Sequence, residues 1–527
     1  MNFRLGLFLL TLFLASLITP VPLQHATVQA ETHIIRVPED YSSIQEAINA
    51  AENGSILLVT KGVYHETVIL NKTLTLIGIN EGCVIENAAV YGDPKDPHVQ
   101  WTKGQESVGL DVIADNSTII GITIRNCTLG IRLNHCNGST VNRNNLTLNI
   151  HALMLDNSNG SFISDNSVCS NLLEGIELNN SYDNTISKNI VSSTSAIELD
   201  GSIGFGLHLS SSSTNKIMDN ILTDSAWDDI LLEANSNNNT FSRNTIGPMY
   251  YYGPKITEDS CANNTFFLNN IISIVPPFTP YSPWTLSRDD FWSFQGEGNY
   301  WADYSGLDNG NDSRIMGDHI GDTELPWHGV DDYPLISPVN PIPVLWNSEV
   351  YHVVLSTNNT ICSGAAKDYG FIQYVRSFKF MALGPLNTTG YFDLTLPKSL
   401  LSGPWSLYMS GVPTYARVTF ENETYTTISM SYENIGYFVN LIGTHVIPEY
   451  PAVDAGFLFM LVSAVALAIG KKELKKFKQP KNTRPLSARQ TKTKLQNLTS
   501  TLRTKYLHGT SLNGRPKEHS TLRHDGQ

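Results

Sequence analysis

Thr140-Val141-Asn142-Arg143-Asn144, Phe162-Ile163-Ser164-Asp165-Asn166, Thr185-Ile186-Ser187-Lys188-Asn189, Lys216-Ile217-Met218-Asp219-Asn220, Thr240-Phe241-Ser242-Arg243-Asn244 and Thr265-Phe266-Phe267-Leu268-Asn269 are six echoes of one phrase. Their closing asparagines lie 22, 23, 31, 24 and 25 residues apart, a spacing typical of solenoids, with an insertion in the long interval. Between them recurs a second phrase: Gly130-Ile131-Arg132-Leu133, Ala152-Leu153-Met154-Leu155, Gly175-Ile176-Glu177-Leu178, Gly206-Leu207-His208-Leu209 and Asp229-Ile230-Leu231-Leu232. Apolar residues alternating with variable ones, bounded by Asn, Ser and Gly, predict short strands and turns. One period of this length can wind round a coil of three strands, and stacked coils form a parallel β-helix. Its aliphatic residues face a shared interior, and each ladder Asn bonds its copy in the next coil.

The flanks predict how the coil is exported and closed. The chain has 527 residues, 41% hydrophobic and only 16% charged. Residues 1–30 carry Arg4, an apolar run and a Val28-Gln29-Ala30 cleavage pattern, which reads as a signal peptide. Residues 451–470 are apolar apart from Asp454 and precede Lys471-Lys472, which predicts one C-terminal transmembrane helix, its uncharged core from Ala455 to Gly470 short against the about 20 residues a bilayer asks for. The tail at 471–527 carries a charge of +12, leaving −26 for the rest of the −14 chain. Basic residues stay on the cytoplasmic side, so the acidic bulk is expected outside a cell membrane crossed once, and the tail is expected to be disordered. No nucleic-acid partner is expected.

Within residues 31–275, Ser43 followed by Ile44-Gln45-Glu46-Ala47-Ile48 predicts a short capped helix covering the first coil. That segment, with Gly62-Val63-Tyr64-His65-Glu66 and Leu74-Thr75-Leu76-Ile77-Gly78, resembles the start of pectin methylesterases and of the NosD family, pectin-lyase-like proteins, which implies a right-handed parallel β-helix. The later catalytic segments of the methylesterases are absent, so the resemblance implies no esterase. The NosD likeness continues through the Asn phrases to Gly298-Asn299-Tyr300-Trp301-Ala302-Asp303-Tyr304 and Asp332-Tyr333-Pro334-Leu335. It implies the fold rather than a reaction. Copper would want clustered His, Met or Cys, and His151, Met154 and His208 look scattered in the sequence.

Variable positions of successive coils line up on the outer face. One such column reads Arg132, Met154, Glu177, His208, Leu231, with Glu174, Asp228, Asp229 and Glu233 nearby. Paired carboxylates are what glycoside cleavage needs, so Glu177, Asp228 and Asp229 are the candidate catalytic residues. Glu174, His208, Trp227 and Glu233 are the candidate substrate-binding residues. The competing reading is a solvated acidic face.

Residues 276–337, rich in aromatics, are expected to close the coil. Within them Asp308, Asp312, Asp318 and Asp322 offer oxygen ligands around Gly310, which makes Ca²⁺ the candidate cofactor and a plain Asx-turn loop the alternative. A Pro-rich linker at 338–344 leads to about seven strands at 345–447, a small β-sandwich. Val446-Ile447-Pro448-Glu449-Tyr450-Pro451 resembles the stalk of archaeal surface proteins. Six cysteines show neither metal nor disulfide-framework spacing; inward thiols are expected, with a Cys127–Cys136 pair the alternative.

The expected protein is all-β, membrane-anchored and extracellular. Its first expected role is a non-catalytic binding or structural module for polysaccharide or a cell-envelope glycoprotein. The second is a polysaccharide hydrolase or lyase.

Overall fold

Three parallel sheets wind through the first part of the chain, each built from one strand per coil. A computed structural model describes residues 33–79, 82–87, 107–192, 204–223, 225, 228–247, 256–272, 286–346, 349–363, 370–372 and 375–444. The expected signal peptide, span and basic tail lie outside these residues, as does Trp227. Among the described residues, no helix is long and apolar enough to cross a membrane.

Sheet A has ten strands, from Ile34–Val37 to Thr265–Phe267, and includes the first three residues of all six echoed phrases. Sheet B, also ten-stranded, runs from Gly62–Tyr64 to Tyr300–Trp301, and sheet C has eight strands from Val68–Leu70 to Ile256–Glu258. The register is unbroken: Val141 pairs with Ile163, Ile163 with Ile186 and Ile186 with Ile217, so each aliphatic side chain stacks on its copy. One apolar core runs from Ile35 to Ile336 through all three sheets. Burial of such a column is the main favourable contribution to the fold.

The turn from sheet A to sheet B takes two residues. Its first, Arg143, Asp165, Lys188, Asp219, Arg243 or Leu268, adopts a positive φ of 53–58° that non-glycine residues rarely hold. Its second is the ladder asparagine, whose bonds stabilise the turn. Asn144, Asn166, Asn189, Asn220, Asn244, Asn269 and Asn299 are all buried, and the backbone N–H of each donates to Oδ1 of the next, at 2.9–3.2 Å. Asn299 N donates to Asp331 Oδ2 at 2.9 Å, so an aspartate closes the ladder. A second ladder at another corner, Asn184, Asn215, Asn239 and Asn264, ends on Asp290 in the same way.

The helix Ile44–Ala50 covers the first coil with Ile44, Ala47 and Ile48 buried. Ser43 caps it through Glu46 N, and Glu66 accepts from Ile44 N and Gln45 N at 2.9 and 3.0 Å. Glu66, in the motif shared with the methylesterases, thus serves the helix N-terminus. At the other end Phe241, Phe266 and Trp292 stack in series at 4.5 and 4.4 Å, with Trp301 and Tyr304 buried beside them.

The second part is a small domain of two antiparallel sheets, five- and six-stranded, sharing one apolar core. Its first strand, Ile342–Trp346, lies partly in the stretch read as a linker. Pro343 is compatible with that strand because Ile342–Trp346 is an edge, with a single partner in Glu349–Thr357. All six cysteines are free, and Cys127 and Cys136 both sit in the coil's core.

Candidate functional site

Sheet C departs from simple alternation, and that departure makes the site. In Glu174–Asn179 two successive residues, Gly175 and Ile176, are buried, so Glu174 and Glu177 emerge on the same face three residues apart. The same step occurs in His151–Asp156, where Ala152 and Leu153 are buried between His151 and Met154. The inner bend has room only for a small residue. A Cβ on Gly175 would stand 2.4 Å from Val191 Cγ1 and 2.5 Å from the Gly206 carbonyl oxygen.

The register then gives two polar rows. One holds Leu129, His151, Glu174, Phe205 and Asp228; the other holds Arg132, Met154, Glu177, His208 and Leu231. Neighbouring strands are about 4.8 Å apart, so side chains from adjacent coils meet. His151 Nδ1 lies 3.1 Å from Glu174 Oε2 and 3.5 Å from Glu177 Oε2. His208 Nδ1 lies 3.2 Å from the other oxygen of Glu174, and His208 Nε2 lies 3.3 Å from Glu233 Oε1. Phe205 stands against His208 with ring centroids 5.5 Å apart.

These contacts divide the charge unequally. Burial alone would raise Glu174, but hydrogen bonds from His151, His208 and Glu177 outweigh it and hold this carboxyl well below the usual range. Burial and the neighbouring Glu174 charge lift Glu177 to about 7. Burial opposes the charged form of His151, yet its two carboxylate neighbours raise it to about 9. His208 is raised as well, by Glu174 against desolvation.

Of the candidate residues, Glu174, Glu177, His208 and Glu233 therefore converge. Asp228 stands in the Glu174 row two strands further on, buried. Asp229 does not join them. It occupies the bend position held by Gly175 and Gly206 in preceding coils, is fully buried, and accepts from Ser225 N at 3.4 Å. The sequence reading missed His151 because it followed one outward column, whereas the bend creates a second. The recurring small residue before the aliphatic one, Gly130, Ala152, Gly175, Gly206, was the available signal.

Three aspartates of the closing loop, Asp308, Asp318 and Asp322, are engaged by backbone N–H groups, and Asp312 by the Asn311 side chain. Asp308 accepts from Gly317 N and His319 N, at 2.5 and 2.9 Å. Asp322 accepts from Asn309 N and Gly310 N, Asp318 from Ile320 N, and Asp312 from the Asn311 amide. Asp318 thus makes an Asx turn, while Asp308 and Asp322 tie together parts of the loop 9 to 13 residues apart. Among the described residues, the one group of three or more His, Cys, Asp or Glu whose ligand atoms converge is His151, Glu174 and Glu177, within 4.8 Å of one another.

The family described as periplasmic copper-binding protein (NosD) matches residues 67–306, which span all of this site. Over these residues the parallel coil is similar to that family. Among solved structures, the chain is similar to pectate lyase Pel9A, at 14% identity over 46% of this chain and 72% of that one, with a TM-score of 0.33. It is also similar to XylC in complex with xylose (10% identity, 52% and 68% covered, TM-score 0.36) and to the Dettilon tailspike protein (11%, 78% and 94%, TM-score 0.31). At these scores the likeness assigns no residue a role. No curated protein matches the sequence.

The family description raises the question of copper. Among the described residues, the converging group of possible ligands contains no cysteine, the thiolate donor that favours Cu(I). Burial pushes the thiol of Cys83 up to about 12 and those of Cys127 and Cys261 to about 11, which keeps them protonated. The imidazole and carboxylates of His151, Glu174 and Glu177 suit a divalent ion, Cu(II) included.

Proposed function

We propose that the protein is an exported binding module of the cell envelope whose sheet C face takes an uncharged polysaccharide, centred on His151, Glu174, Glu177, His208 and Glu233. The observation that carries this reading is the convergence of those five side chains on the outer face of one sheet. Sheets A and B present mostly hydroxyls, amides and small residues at the equivalent positions. Carboxylates and imidazoles side by side can accept from and donate to sugar hydroxyls, and Phe205 adds an apolar ring beside His208. Polyuronates are disfavoured, because Glu174, Glu177, Asp228 and Glu233 would repel their carboxylates. Arg132, the guanidinium in the Glu177 row, is bound to Asp111 through two contacts of 2.9 and 2.8 Å. The apolar segment at 451–470 would tether the module to the membrane with its basic tail inside.

Hydrolysis is the second reading, favoured by Glu177, which near pH 7 can supply a proton beside an ionised Glu174. Oxygens of those two carboxyls lie within 4.8 Å of each other, whereas glycoside cleavage needs about 5 Å or more between them. The partner of Glu177 would then be Asp228, which lies two strand spacings, about 9.5 Å, beyond Glu174 along its row.

The purified full-length protein on an array of neutral and acidic glycans tests both. Retention on neutral glycans, lost in Glu233→Ala and His208→Ala, supports the module. Release of reducing ends from a retained glycan favours hydrolysis, and retention confined to polyuronates overturns the proposal.

A further inference from the structure

We infer that His151 Nδ1 and the carboxylates of Glu174 and Glu177 form a binding site for a divalent first-row transition-metal ion of the Zn(II) class. The site rests on the same face to which the proposed function assigns a glycan, but its argument is independent of any sugar.

The geometry comes first. A tetrahedral ion with ligand bonds of about 2.0–2.1 Å needs its donors about 3.3–3.4 Å apart. His151 Nδ1 stands 3.1 Å from Glu174 Oε2 and 3.5 Å from Glu177 Oε2, and all three ligand atoms fall within 4.8 Å. These donors come from two adjacent coils of a rigid sheet rather than from a loop, so they are already in place. Three protein donors leave a fourth position towards solvent, as in zinc sites that accept an outside ligand.

The surroundings support the same reading. Glu177 Oε2 is buried and its donor contact is a loose one, His151 Nδ1 at 3.5 Å, so this carboxylate oxygen is poorly matched unless a cation meets it. The far oxygen of Glu174 is held by His208 Nδ1, and His208 Nε2 approaches Glu233 Oε1. This chain, Glu233 to His208 to Glu174, is the kind of outer support that orients a metal-bound carboxylate. Donor type narrows the ion. An imidazole beside two carboxylates disfavours Ca²⁺, which takes oxygen alone, and the lack of a thiolate disfavours Cu(I).

The test uses full-length protein stripped with a chelator and titrated calorimetrically with zinc sulfate, with bound metal counted by mass spectrometry. One zinc equivalent is expected that is absent from His151→Ala. The equivalent should also be absent from Glu177→Gln, which keeps shape and serves if the histidine variant fails to fold. His208→Gln should weaken binding about 10- to 100-fold while keeping the stoichiometry. The basic tail carries its own histidines, so an equivalent that survives both His151→Ala and Glu177→Gln overturns the assignment, as does competition by millimolar Ca²⁺. Zinc bound by a chain that retains no glycan upholds the site and removes the glycan reading. Glycan retained by a chain that takes no zinc does the opposite.

Discussion

Replacing Asn220 by alanine removes one rung from the middle of the asparagine ladder, and the structure sets the size of the loss. Asn220 Oδ1 accepts from Asn189 N at 2.9 Å and from Asn189 Nδ2 at 3.0 Å. Its amide donates to Ile186 O at 2.8 Å and to Asn244 Oδ1 at 3.0 Å. After truncation Asn189 Nδ2 keeps Ile163 O, and Asn244 Oδ1 keeps Asn220 N. Asn189 N–H and the Ile186 carbonyl lose these partners inside a corner with no room for bulk water. Each buried group left unmatched costs about 1–3 kcal/mol, so Asn220→Ala should destabilise the coil by about 2–6 kcal/mol. Asn142 is the control. It bonds Ser164 and Asp165 at the half-exposed surface, and Asn142→Ala should cost under about 1 kcal/mol. Urea unfolding followed by far-UV circular dichroism measures both, and hydrogen exchange should show the loss concentrated in the coils flanking Asn220. Equal effects from the two variants would refute the claim that the buried ladder, rather than the aliphatic column alone, holds the turns.

Three further outcomes follow from the same structure. Stability should fall as pH rises from 5 to 8.5. Glu177, lifted to about 7, Asp331, lifted to about 6, and Glu258, also raised, favour the protonated native state, while native His151, raised to about 9, holds its proton as the unfolded chain gives it up, so its contribution declines over the upper part of this range. Each contribution is complete below the unfolded value and lost as pH passes the folded one, so a melting temperature that climbs over this window would contradict the assignments. Gly175→Ala should destabilise by about 1–3 kcal/mol or more, because its Cβ meets Val191 and the Gly206 carbonyl, whereas Gly160→Ala meets nothing within 4 Å and bears only its positive φ; thermal melts of the pair decide this. Glu66→Gln should cost about 1 kcal/mol, read as earlier exchange of the Ile44 and Gln45 amides, since one of its two acceptor oxygens becomes a donor facing a helix N-terminus.

Sequence alone determined the stacked coils, because a period of 22 to 25 residues with alternating aliphatics leaves few other ways to bury them, and the Asn at each phrase end marks the tightest turn. It also placed Glu177 and His208 on one column, since side chains at equivalent positions must align once the register is regular. The second ladder through Asn184, Asn215, Asn239 and Asn264 was less legible because each of these residues sits among other polar residues of a turn. Only the tertiary structure decided which carboxylates meet. The two-residue inward step in sheet C brings His151 and Glu174 to the surface as a second row, and the same step turns Asp229 into the interior. That outcome depends on a backbone bend held by packing between coils, a long-range interaction that spacing within one coil does not encode.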